Sequence, residues 1–131
     1  MLAIAACLMI AIISPTPASA DSFPFSQNFG DGTEHSSHDF VPSSNQIHLG
    51  GSGCKGGNAH YFYLQLVTTS GSNEIFPTHS YPADGTYYED PRGITVSTST
   101  SYYIRWYGQD EDLNRPPFVN PSAPCATVKA H

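Results

Sequence analysis

His60-Tyr61-Phe62-Tyr63-Leu64-Gln65-Leu66-Val67 carries side chains that sort into two sets at a spacing of two. Successive side chains of an extended strand point to opposite faces. Phe62, Leu64 and Leu66 therefore share one face, and Tyr61, Tyr63, Gln65 and Val67 the other. Ser101-Tyr102-Tyr103-Ile104-Arg105-Trp106-Tyr107 repeats the pattern, with Tyr102, Ile104 and Trp106 on one side and Tyr103, Arg105 and Tyr107 on the other. A guanidinium resists burial without a partner, so Arg105 marks the wet face of its strand. Two strands with one apolar and one polar face predict an antiparallel sheet packed on a second layer.

Weaker strands surround these two. Phe23 to Phe29 reads as an edge segment, because Pro24 lacks the N–H a central strand would need. Asp39-Phe40-Val41, Gln46 to Leu49, Glu74 to Pro77, Gly85 to Tyr88, Gly93 to Ser97 and Ala126 to Val128 are further short strands, separated by Gly, Pro, Asn and Asp turns such as Pro82-Ala83-Asp84-Gly85. The glycine cluster Gly50-Gly51-Ser52-Gly53 reads as a loop beside Cys54. The chain shows no stretch with apolar positions at helical spacing. The expectation is an all-β fold, an antiparallel β-sandwich of jelly-roll or immunoglobulin-like type with about seven to eight short strands. A small barrel is the alternative.

Residues 1–20, MLAIAACLMIAIISPTPASA, read as a signal peptide ahead of a single secreted domain over 21–131. The apolar run of about 13 residues falls short of the roughly 20 that span a bilayer. Ala18 and Ala20 suit the narrow pocket of a signal peptidase. Ile4-Ala5-Ala6-Cys7 has the outline of a lipoprotein cleavage site, but more apolar residues follow Cys7 where a polar tether would be expected. All 11 acids and 5 bases lie after residue 20, so the secreted part keeps the formal charge of −6. That charge repels phosphate backbones and argues against nucleic acid as a partner. No Asn-x-Ser/Thr sequon occurs, since Asn120 is followed by Pro121. An extracellular location, with no integral membrane segment after the leader, is expected, and the leader and lack of sequons suit a bacterial protein.

Export decides how the cysteines are read. Cys7 leaves with the leader, and Cys54 and Cys125 remain as a pair in an oxidising compartment. Neither sits in a CxxC motif, so a structural disulfide is expected.

The strands Phe62-Tyr63-Leu64-Gln65-Leu66 and Tyr102-Tyr103-Ile104-Arg105-Trp106 resemble those of small secreted bacterial β-sandwich domains of the pre-peptidase C-terminal type. The resemblance implies a jelly-roll-like sandwich without catalytic residues. The chain departs from that pattern in having no Gly before the tyrosine pair and in its long-range cysteine pair.

Three constellations carry possible chemistry. His35, His38 and Asp39 lie within Asp31 to Asp39, and His and carboxylate side chains are ligands for Zn²⁺-like ions; this is the basis for a small metal-dependent hydrolase. Asp110, Asp112 and Asn114 alternate hard oxygen ligands, a pattern that suits a structural Ca²⁺, although the Gly and later Glu of an EF-hand are missing. Apart from that ion no cofactor is expected. Third, aromatic residues make up 12% of the chain, and Tyr61, Tyr63, Tyr87, Tyr88, Tyr103 and Tyr107 are candidates for a binding surface. Flat rings among polar neighbours stack on sugars or anchor protein partners; cross-strand packing is the competing role.

No Gly-x-Ser-x-Gly elbow, phosphate loop or dinucleotide fingerprint is present. Glu89 and Asp90 adjoin, so on a strand they diverge and make a poor glycosidase pair. The expected function is non-catalytic binding of a glycan or an extracellular protein. Inhibition of a secreted hydrolase, through the segment Gln109 to Ala123, is the alternative.

Overall fold

The computed structural model describes residues 22–70, 74–77, 79–109 and 121–131. The two strands picked out by alternation form its centre. They are β5 (Tyr61–Thr68) and β10 (Tyr102–Gln109), paired antiparallel over their full length from Tyr102 opposite Thr68 to Gln109 opposite Tyr61. The remaining strands are β1 (Phe25–Phe29), β2 (Glu34–Ser36), β3 (Gln46–Ile47), β4 (Leu49–Gly53), β6 (Glu74–Pro77), β7 (Tyr81–Pro82), β8 (Tyr88–Glu89), β9 (Ile94–Thr95) and β11 (Ala126–Ala130).

They assemble into two principal sheets and one small ladder, all antiparallel. The five-stranded sheet runs β2-β10-β5-β6, with β7 also pairing β5, and the four-stranded sheet runs β1-β11-β4-β8. β3 and β9 pair separately. Among the described residues there is no helix. The fold is thus all-β and sandwich-like. The strands outnumber the seven or eight expected, because several are two-residue ladders too short to leave a periodic signal. Asp39-Phe40-Val41 contributes only a single bridge, Phe40 to Tyr102.

The core lies between the sheets. Phe62, Leu64, Leu66, Ile104 and Trp106 from one sheet and Leu49 and Val128 from the other are fully buried. Phe25, Tyr102, Ala126 and Ala130 complete the facing layers, and Ile47, Ile94 and Val96 extend the same cluster. Phe40 closes it by stacking against Phe25 at 5.0 Å between ring centroids. Each fully buried Phe or Leu side chain contributes about 1.5–3 kcal/mol through removal from water.

The largest departure from the sequence reading is Gly50-Gly51-Ser52-Gly53. This stretch is not a loop. It lies in β4, a central strand hydrogen-bonded to β11 on one side and β8 on the other. Its glycines have a steric reason. A Cβ on Gly51 would lie 2.5 Å from the Thr127 carbonyl oxygen, and one on Gly53 would lie 3.1 Å from the Trp106 ring. A bare backbone here lets Leu64, Phe62 and Trp106 of the opposite sheet close against it.

Cys54 and Cys125 form a disulfide with a sequence separation of 71 and a Cα–Cα distance of 5.0 Å. They follow β4 and precede β11, and the Cys54 N–H donates to the Cys125 carbonyl at 2.8 Å. The bridge therefore staples two adjacent central strands. The expected turn at Pro82 to Gly85 is present, with Gly85 at φ 87° and Asp84 Oδ1 accepting the Thr86 N–H at 2.9 Å.

Candidate functional site

The outer face of the five-stranded sheet gathers four of the six candidate tyrosines. Register alone dictates this. Tyr63 lies directly opposite Tyr107, Gln65 opposite Arg105, Val67 opposite Tyr103 and Tyr61 opposite Gln109. On the far side of β10, Ser36 lies opposite Arg105 and Glu34 opposite Tyr107. Tyr61, Tyr63, Tyr103, Arg105 and Tyr107 are all half-buried, and Val67 is fully buried although it belongs to this face.

The rings are ordered against one another. Tyr63 and Tyr107 stack at 4.8 Å between centroids with 15° between planes. Stacking occupies one face of each ring, and the Tyr107 hydroxyl is engaged by Arg105 and Glu34. The Arg105 guanidinium lies 5.4 Å from the centre of the Tyr103 ring, in cation–π range. Burial pushes the Tyr107 hydroxyl pKa up, and the nearby Glu34 carboxylate adds to the rise. That hydroxyl therefore stays a proton donor at neutral pH. Two polar atoms of this face are buried without a hydrogen-bond partner, Arg105 Nε and Gln65 Oε1.

Tyr87 and Tyr88 do not join this group. β8 belongs to the four-stranded sheet. The Tyr87 ring covers the bare backbone of Gly50, and the Lys129 ammonium lies 4.9 Å from its ring centre. Tyr88 packs against the core, stacks on Tyr81 at 5.5 Å and donates its hydroxyl to Asp84 at 2.8 Å. A single six-tyrosine surface is therefore corrected to a four-tyrosine face and two separate packing residues. Adjacency in sequence carried no information about which sheet the Tyr87-Tyr88 pair would join.

The candidate metal ligands separate in a similar way. His35 lies opposite Trp106 and points inward, stacked on Phe29 at 4.6 Å and tilted against Trp106 at 5.6 Å. Burial draws its pKa below the ordinary 6.5, with the Gly30 carbonyl and Asp31 opposing. Its Nε2 and the Trp106 Nε1 are both buried without a partner. His38 is exposed and its backbone N–H donates to Gln27 Oε1 at 2.8 Å. Among the described residues no three His, Cys, Asp or Glu side chains gather as a metal site. Asp110, Asp112 and Asn114, and most of the segment Gln109 to Ala123, lie outside the described residues.

Glu89 and Asp90 diverge as expected. Asp90 is fully buried and takes both Arg92 Nε at 3.1 Å and Nη2 at 2.9 Å, while Glu89 meets His131 Nε2 at 2.7 Å. Hydrogen bonding from Arg92 holds the Asp90 carboxyl below the usual carboxylate range. This pair secures the turn after β8. The sequence offered no sign of it beyond an acid two residues before a base.

No family model, no curated protein and no solved structure matches this chain. Among the described residues no helix is long and apolar enough to cross a membrane. A sandwich hosts many unrelated activities, so the functional argument rests on the site.

Proposed function

We propose that the protein is a secreted, non-catalytic binding domain that recognises a glycan or a protein surface through the outer face of its five-stranded sheet. The observation that carries the reading is the register of β5 and β10. It sets Tyr61, Tyr63, Tyr103 and Tyr107, all half-buried, on one face together with Arg105. Rigid rings with polar tips give contact area at low entropic cost, because they have few rotatable bonds and neighbours already hold them. The disulfide between Cys54 and Cys125 supports an extracellular setting, where such bonds persist, and the leader-like residues 1–20 support export. A bacterial source fits the same leader.

The inhibitor alternative has one support of its own. The two described ends of the Gln109 to Ala123 segment are fixed. Gln109 closes β10, and Ala123 exchanges two backbone hydrogen bonds with Gly32, at 3.1 and 3.0 Å, next to the disulfide. A tight stoichiometric complex with a secreted hydrolase would favour that alternative.

The test is capture. Protein purified from cells expressing the full chain is immobilised and exposed to culture medium and to cell-wall fractions. The proposal expects retention of a glycan or a protein in amounts that saturate. Saturable retention of neither, with the protein folded, contradicts it.

A further inference from the structure

We infer that the ligand of the tyrosine face is an acidic polysaccharide whose carboxylate is received by Arg105; this rests on the binding reading above and deepens it. Arg105 stands mid-strand in β10, between Gln65 of β5 and Ser36 of β2, with Tyr103 and Tyr107 two residues away on the same face. It is half-buried, yet the ion pairs among the described residues are Arg92 with Asp90 and His131 with Glu89, and neither includes Arg105. Acids are not scarce among the described residues, which include Asp31, Glu34, Asp39, Asp84, Glu89 and Asp90. The nearest acid across the β2–β10 ladder is Glu34, which lies opposite Tyr107.

The Tyr107 and Tyr103 side chains hydrogen-bond the guanidinium and favour its charge; neither is an anion, and a carboxylate arriving from outside adds a charge-assisted pair through the planar fork. Arg105 Nε, a donor, and Gln65 Oε1, an acceptor, lie on directly opposed residues of the ladder and are both buried without a hydrogen bond, so it is the Nη end of the guanidinium that an external carboxylate meets.

The composition of the face favours a sugar over a protein. Among the described residues the large hydrophobic side chain left exposed is Tyr87, which immediately precedes β8 of the other sheet. The face around Arg105 holds tyrosine edges, Gln109, Ser36 and Glu34, with Gln65 buried. Protein interfaces are built around an apolar core; this face supplies hydrogen-bonding tips around a charge. Tyr103 and Tyr107 are about 13 Å apart along an extended strand, which suits a polymer laid across the sheet. The net charge of −6 works against a polyanion, so the attraction is local, and added salt weakens it.

Affinity electrophoresis through gels containing polygalacturonate, alginate or hyaluronan tests this, with the carboxyl-reduced form of each as control. At least one acidic polymer is expected to retard the protein, with retardation at least tenfold weaker in its reduced form. Arg105→Gln should lose retardation to the same extent, Arg105→Lys should keep part of it, and Lys129→Gln, on the other sheet, should keep all of it. Melting curves confirm that each variant is folded. Equal retardation by acidic and reduced polymers, or an unaffected Arg105→Gln, overturns the acidic ligand and leaves the tyrosine reading standing. No retardation by any of the three polymers also overturns it. Capture of an acidic protein through Arg105, with no polymer bound, overturns the polysaccharide while keeping the face.

Discussion

The two sheets use tyrosine in opposite ways. On the four-stranded sheet, Tyr87 lies over Gly50 and fills the outer side of a strand that has almost no side chains. Lys129 then caps its ring. On the five-stranded sheet, Tyr63 and Tyr107 stack across strands, and Tyr103 and Tyr107 flank a guanidinium that has no carboxylate partner among the described residues. The first arrangement closes a gap in the fold. The second leaves donors and a charge facing outward. The same residue type therefore answers a packing need on one face and leaves an incomplete polar network on the other.

The four-stranded sheet should be the more fragile to perturbation, and its disulfide the most sensitive point. Replacing Cys54 and Cys125 by Ser frees a loop with a sequence separation of 71. Loop-closure entropy puts the loss at about 4 kcal/mol, readable as a large drop in melting temperature. A melt unchanged by the double substitution would mean that β4 and β11 hold together without the staple.

Next comes the glycine strand. Gly51→Ala places a methyl 2.5 Å from the Thr127 carbonyl oxygen and against Leu64. The strand or its partner must shift, at about 1–3 kcal/mol. Denaturant unfolding measures this directly. A neutral or stabilising result would contradict the close approach of Gly51 to the Thr127 carbonyl of β11.

A pH series probes the boundary between the sheets. His35 faces Phe29, Trp106 and Gly32, with the Gly30 carbonyl and Asp31 as its polar and charged neighbours. Its pKa is lower in the folded protein than the ordinary 6.5. The unfolded chain thus binds the proton more tightly, so the contribution of His35 to stability is fully present above 6.5 and is lost as pH falls from there towards the folded value. One group titrating in this way changes stability by at most about 1.4 kcal/mol per pH unit. Stability measured from pH 7 to 5 should fall in the native protein, and His35→Phe should flatten the curve while keeping the stack on Phe29. An identical slope in the variant would remove His35 from the account.

Much of the central sheet was legible in advance. The alternation in Phe62, Leu64 and Leu66, and in Tyr102, Ile104 and Trp106, predicts the buried faces because apolar side chains declare their own period. Pro24 before Phe25 correctly marks an edge, since β1 pairs on one side with β11 and ends the sheet. Glycine declares no period. Gly50 to Gly53 reads as a loop because the side chains that would reveal a strand are absent, and the reason for their absence lies in Tyr87, Thr127 and Trp106, far away in sequence. The weak clue was an unusual run of small residues in a chain with several bulky aromatics. His35 carried a similar ambiguity. A histidine near acids suggests a metal, yet its register opposite Trp106 turns it into the core. Tyr61, Tyr63, Tyr103 and Tyr107 share a face because they alternate on two neighbouring strands. Tyr87 was misgrouped because its partner is a glycine.

The sharpest measurement sets the two tyrosine environments against each other. Retention on the captured ligand and melting temperature are determined for Tyr103→Ala/Tyr107→Ala and for Tyr87→Ala. Cross-strand pairs contribute about 0.2–1 kcal/mol, so the double variant should lose at least tenfold in retention with only a small drop in stability. Tyr87→Ala should lose stability and keep its retention. The account is contradicted if the double variant still binds, or if its binding falls only in step with unfolding.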